Sequence, residues 1–161
     1  MTRFSWCLAV VILVLGVSIQ ADGVAAQSAL DGAWEVTYAA DDSIESNQAG
    51  LYLFHDGYYS VLHVWAEESR PLYEEGEARD NVDVEKLLAI VLPVEANSGR
   101  FEIDGSTLTM TPMVAISPNF MRGPSRSYSF SVSGDELTLR GGTVSDQSGE
   151  INRVMRLRRL R

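Results

Sequence analysis

The sequence predicts an all-β fold, an eight-stranded up-and-down antiparallel barrel with one short helix. Three observations carry that prediction. Apolar residues recur at alternate positions over most of the chain after residue 33, the period of a half-buried strand. Polar two-residue turns, several of them Asp-Gly or Gly-Asp, separate these runs at hairpin spacing. Only residues 83–92 carry a helical period. Sequential hairpins with one apolar face bury it by closing on themselves, which also removes unpaired edges.

The elements follow in order. Residues 33–39 place Trp34, Val36 and Tyr38 on one face and Glu35 and Thr37 on the other. Residues 51–55 and 58–66 flank Asp56-Gly57, a pair suited to a hairpin turn with positive φ at both positions. Residues 100–103 and 107–114 flank Asp104-Gly105, read as a second such turn. Residues 125–133 alternate strictly, with Arg126, Tyr128, Phe130 and Val132 opposite four serines. Gly134-Asp135 leads into residues 136–140, and Gly141-Gly142 precedes a last strand over residues 151–160.

Residues 67–81 are polar and acid-rich and read as a loop. The helix after it has Asp83 or Asn81 as its cap and Glu85 in its first turn. Val84, Leu87, Leu88 and Val91 share one face, and Pro93 stops the helix. In a small barrel such a helix is expected to act as a lid or plug. The acidic loop (Glu67, Glu68, Glu74, Glu75, Glu77 and Asp80, then Asp83) lacks the spacing of a dedicated calcium loop and reads as solvated.

The chain has 161 residues, 45% of them hydrophobic, which suits one domain with its own core. Its 22 acidic and 13 basic residues leave a net charge of −9, which argues against general nucleic-acid binding. Residues 1–26 read as a secretory signal peptide: Arg3, then an apolar run from Trp6 to Ile19, then small residues ending at Ala26. That run is about 14 residues, short of the roughly 20 a spanning helix needs. The expectation is cleavage after Ala26 and a secreted or periplasmic domain over residues 27–161, with no membrane span. The only cysteine, Cys7, lies in the leader, so the mature chain offers neither disulfides nor thiol chemistry.

With strands and turns placed, the chain resembles the bacterial and fungal lipocalin-like domain family within the calycin group. The residues that carry the resemblance are Leu30-Asp31-Gly32-Ala33-Trp34-Glu35-Val36 and Gly50-Leu51-Tyr52-Leu53-Phe54-His55-Asp56-Gly57-Tyr58-Tyr59-Ser60-Val61. Ser98-Gly99-Arg100-Phe101-Glu102-Ile103-Asp104-Gly105, Pro118-Asn119-Phe120 and Gly134-Asp135-Glu136-Leu137-Thr138-Leu139 follow in the family's order. The resemblance implies a ligand-holding barrel. It also implies that Trp34 packs across the closed end beneath an arginine of the last strand. Period two puts Met155, Leu157 and Arg159 on one face, which favours Arg159 for that structural role.

The chemistry-bearing residues are few. His55 precedes a turn, where a polar residue is expected anyway. His63 is mid-strand with Val61 and Trp65 on its face, and either lines the cavity or is exposed or hydrogen-bonded structurally. No His-x-His or His-x-x-x-His spacing occurs, so no metal site is expected. No nucleophile elbow, dinucleotide fingerprint or phosphate loop occurs either, and no cofactor is expected. An inward Arg126 needs a partner, because unpaired buried charge is very costly. That partner is an internal carboxylate or tyrosine, or an anionic ligand head group; otherwise Arg126 reaches solvent at the strand's start.

The residues expected to line a ligand site are Tyr38, His63, Trp65, Met110, Phe120, Arg126 and Tyr128. The leading expectation is a barrel that binds a small hydrophobic or amphipathic molecule in its interior. A second is an isomerase, cyclase or dehydratase on the same barrel, with His63 and Glu102 or Asp104 as acid–base partners if register joins them. A third is a filled barrel that contacts a protein through the helix or the arginine-rich C-terminus.

Overall fold

The computed structural model describes residues 26, 29–77, 81–123, 125–143 and 152–161. The expected leader lies outside these residues except for Ala26, as do Asp80 of the acidic loop and Ile151 at the expected start of the last strand. The elements are β1 (Gly32–Ala40), β2 (Glu45–Ser46), β3 (Gly50–His55), β4 (Tyr58–Val64), α1 (Val84–Val91), β5 (Val94–Asp104) and β6 (Thr107–Ala115). A 3-10 turn (Pro118–Met121), β7 (Arg126–Ser133), β8 (Glu136–Thr143) and β9 (Val154–Arg159) complete them. Antiparallel pairing runs β1-β3-β4-β5-β6-β7-β8-β9, and β9 pairs back with β1. The result is a closed eight-stranded up-and-down barrel. The two-residue β2, too short to show a period, adds to the end of β1.

Alternation explains most of the core. Tyr52 and Phe54 from β3, Tyr59 and Val61 from β4, and Leu137 and Leu139 from β8 all turn inward and are buried. Phe54 meets Phe101 edge to face with ring centroids 5.3 Å apart, a favoured aromatic geometry. The first hairpin turns through Asp56 at φ 49° and Gly57 at φ 77°, the left-handed pair expected there. The second differs: Asp104 stays in β5, and the turn is Gly105-Ser106 with positive φ at Gly105.

One end is sealed. Trp34 is fully buried and donates from Nε1 to the Leu30 carbonyl at 2.7 Å. The Arg159 guanidinium lies 4.0 Å from the Trp34 ring centroid, and it donates to the carbonyls of Asp31 (2.5 Å) and Ala29 (2.6 Å). A planar cation laid on indole satisfies its donors at the edge while its face covers the ring.

Three expectations are corrected. Tyr38 does not face the interior: a register shift between Val36 and Tyr38 reverses the alternation, so Ala39 is buried and Tyr38 lies outside beneath Arg156, 4.5 Å from its ring. The strand expected at residues 100–103 begins six residues earlier, at Val94. The helix, capped by Asp83 Oδ1 on the N–H groups of Glu85 and Lys86, has no buried residue and does not plug the barrel. Among the described residues, no helix is long and apolar enough to cross a membrane.

Candidate functional site at the barrel mouth

Antiparallel register carries a second set of residues to the end away from Trp34. His63 pairs with Gly50 across β3–β4 and with Glu95 across β4–β5, while Val64 pairs with Val94. Arg126 opens β7 opposite Met110, and Arg153 immediately precedes β9. These strand ends converge on one carboxylate, Glu95.

Glu95 Oε1 accepts from Arg126 Nη1 at 3.1 Å, and Oε2 accepts from Arg153 Nη1 at 3.0 Å and Trp65 Nε1 at 2.9 Å. Asn97 Nδ2 adds a longer contact to Oε1 at 3.4 Å. Arg153 also approaches Asp41 Oδ2 at 3.9 Å. Two cations are thus set against two carboxylates, which satisfies the condition for keeping charge in a water-poor place. The guanidiniums are braced on aromatic faces as well: Arg126 lies 3.7 Å from the Phe120 ring centroid and Arg153 4.2 Å from that of Trp65.

Burial would raise the Asp41 carboxyl, but hydrogen bonds outweigh it. Its Oδ1 accepts from Ser43 N–H (2.9 Å), the Ser43 hydroxyl (2.8 Å) and Ile44 N–H (3.1 Å), and with Arg153 nearby these hold its pKa below the ordinary value.

His63 is fully buried with its ring 4.6 Å from that of Trp65. Neither ring nitrogen has a hydrogen-bond partner among the described residues. Burial pushes its pKa down to about 4, with Glu95 pulling up and Arg153 pushing down more weakly. At neutral pH it is an uncharged imidazole.

Two spaces adjoin this layer. Below it, Tyr52, Tyr59, Met110, Tyr128 and their neighbours leave only about 10 Å³, the room of one water. The larger of the two spaces is at the mouth. There a cleft of about 430 Å³ is walled by Ile44, Trp65, Leu92, Pro93 and Val94, with Asp41, Ser43, Glu95 and Arg153 as its polar side.

Of the residues expected to line a ligand site, Trp65 walls the cleft, Met110, Phe120, Arg126 and Tyr128 border the small pocket beneath, His63 packs against Trp65 without lining either space, and Tyr38 lies outside. The partner of Arg126 is the internal carboxylate, Glu95. The acid–base pairing of His63 with Glu102 or Asp104 does not form, because those residues lie at the far end of β5, opposite Thr109 and Thr107, and are exposed. Glu95 and Arg153 escaped sequence reasoning. Glu95 falls between the helix stop at Pro93 and the strand expected from residue 100, and a lone acid in Val91-Leu92-Pro93-Val94-Glu95-Ala96 is its available signal. Arg153 was lost among five C-terminal arginines. Arg158 pairs with Glu35 at 2.8 Å, and Arg161 pairs with Asp135, so these two sit on the barrel's outer charged surface.

Among the described residues, no group of three or more histidines, cysteines or carboxylates is placed to hold a metal ion. Comparison with protein-family models, curated proteins and solved structures returns no significant match, so the mouth cleft is judged on its own geometry.

Proposed function

We propose that this is a secreted or periplasmic lipocalin-like binding protein that holds a small, uncharged amphipathic molecule in its mouth cleft. The observation that carries the reading is the cleft itself: about 430 Å³, apolar on one side and polar on the other. Its volume lies in the range of small-molecule sites, which combine apolar walls with a few convergent polar groups. Apolar burial against Trp65, Leu92 and Val94 supplies affinity at about 25 cal/mol per Å². The Glu95 layer orients the guest. Because Arg126 and Arg153 are already balanced by Glu95 and Asp41, a guest with a net charge finds no counter-charge waiting. Support for the lipocalin-like assignment comes from the closed barrel and the Trp34–Arg159 seal; support for export comes from the leader-like residues 1–26.

Titration with the neutral fluorophore N-phenyl-1-naphthylamine tests the reading. Leu92 lines the cleft and is 74% exposed, so Leu92→Glu places a charge on the apolar wall without disturbing the core. The expected result is saturable binding to the native protein and about tenfold weaker binding to the variant, a difference of about 1.4 kcal/mol. Unchanged affinity in Leu92→Glu overturns the cleft as the binding site.

A further inference from the structure

Five buried side-chain nitrogen or oxygen atoms lack a hydrogen-bond partner among the described residues, and four of them lie in the mouth layer. They are His63 Nδ1 and Nε2, Arg126 Nε and Arg153 Nε; the fifth, Asp31 Oδ1, is at the sealed end. Buried polar atoms are nearly always paired, so this concentration in one layer calls for an explanation. Both arginines grip Glu95 through Nη1, and Arg153 Nη2 faces Asp41 at 3.9 Å, which leaves the Nε of each without a partner among the described residues.

The chemistry of the four atoms restricts that partner. An arginine Nε–H can only donate, and a neutral imidazole donates from one nitrogen and accepts at the other. Three of the four positions therefore ask for an acceptor. Charge restricts it further, because Arg126 and Arg153 already face Glu95 and Asp41. The layer has room for an acceptor oxygen but not for an added negative charge. It is also within reach of a guest: Glu95 and Arg153 form one side of the cleft, while Glu95 and Arg126 border the small pocket beneath. The layer is the wall between the two spaces. The side chains of Glu95, Arg126 and Arg153 keep 12–17% exposure; Arg153 borders the cleft, Arg126 borders the pocket beneath it, and Glu95 borders both.

We propose that the Glu95–Arg126–Arg153–His63 layer is a recognition subsite for the carbonyl oxygen of an uncharged ligand, such as a ketone, ester or amide. This rests on the cleft reading above and specifies the chemical class that the cleft selects. A ligand of the same shape without the acceptor leaves the donors unpaired, and sites built around hydrogen bonds discriminate strongly against such analogues.

The test compares three probes of one shape on the full mature chain: 2-acetylnaphthalene, 2-ethylnaphthalene and 2-naphthoate, each followed by quenching of Trp65 fluorescence. The expected result is that the ketone binds about tenfold tighter than the hydrocarbon and also tighter than the carboxylate. In Arg153→Met and in Arg126→Met, the ratio of ketone to hydrocarbon affinity falls toward one. If ketone and hydrocarbon bind the native protein equally, the subsite is overturned and the apolar cleft stands. If the carboxylate binds tightest, the uncharged class is overturned. If none of the three binds, both the subsite and the cleft reading fall. The native-protein comparison decides these outcomes even if a variant fails to fold.

Discussion

Between about pH 6.5 and about pH 4, acidification acts on this protein through the buried His63 imidazole, and the size of its effect follows from the structure. His63 is fully buried without a hydrogen-bond partner among the described residues, and its pKa is depressed from 6.5 to about 4. In the unfolded chain the ring takes a proton near its ordinary value; in the native barrel it does not. Between those two values the unfolded state binds the extra proton, so stability is complete above about pH 6.5 and declines as pH falls toward 4. The full span corresponds to about 3 kcal/mol, most of it lost by about pH 4.5. For a domain of this size that loss lowers Tm by about 7–10 °C. Asp41 and Glu77, whose carboxyls are held below their ordinary values, destabilise in the same direction at lower pH. The assay must therefore be differential. Denaturant unfolding of the native protein and of His63→Leu, from about pH 7.5 to about pH 4.5, isolates the imidazole. The two stability curves converge, or cross, as pH falls, because only the native protein loses the His63 contribution. Curves that stay parallel across this interval refute the argument that an unpartnered, neutral His63 sits in the native layer.

Two further outcomes follow from the sealed end and the β5 bulge. Arg159→Ala removes the stack on Trp34 and the donors to Asp31 and Ala29; the expected loss is about 1–3 kcal/mol by denaturant unfolding, with probe affinity at the distant mouth unchanged. Gly99 sits at the register shift between Ser98 and Gly99, where a Cβ would come within 2.0 Å of the Thr111 carbonyl oxygen. Gly99→Ala must push backbone apart, and a loss of about 3 kcal/mol or failure to fold is expected; a Tm within 2 °C of the native value, about the size of an ordinary surface change, contradicts that geometry.

How far the sequence reaches is clear from particular residues. Strand existence and facing were legible wherever alternation is unbroken: Arg126, Tyr128 and Phe130 point inward because nothing interrupts β7's period. Tyr38 shows the opposite case. Its face was assigned by a rule that a single bulge reverses, and no residue type at Val36-Thr37-Tyr38 announces the bulge. The start of β5 was hidden for a related reason, since Val94-Glu95-Ala96-Asn97 has a charged residue where an inward apolar one is expected. Glu95 points inward only because the arginines that neutralise it arrive from β7 and from the chain before β9.

The Trp34–Arg159 pair at the sealed end is what the lipocalin-like resemblance implies; the sequence by itself determined the all-β class, the hairpin order and the position of the helix at Val84–Val91. These are local or pairwise properties, set by side-chain period, turn stereochemistry and which faces must leave water. Only the tertiary structure decided that a cleft opens at the mouth, and that Glu95 and Arg153 belong to the same site as Arg126 and His63. Those residues span 90 positions of chain, from 63 to 153, and strand register brings them together. A buried charge is tolerable only with its partners present, and barrel closure supplies those partners.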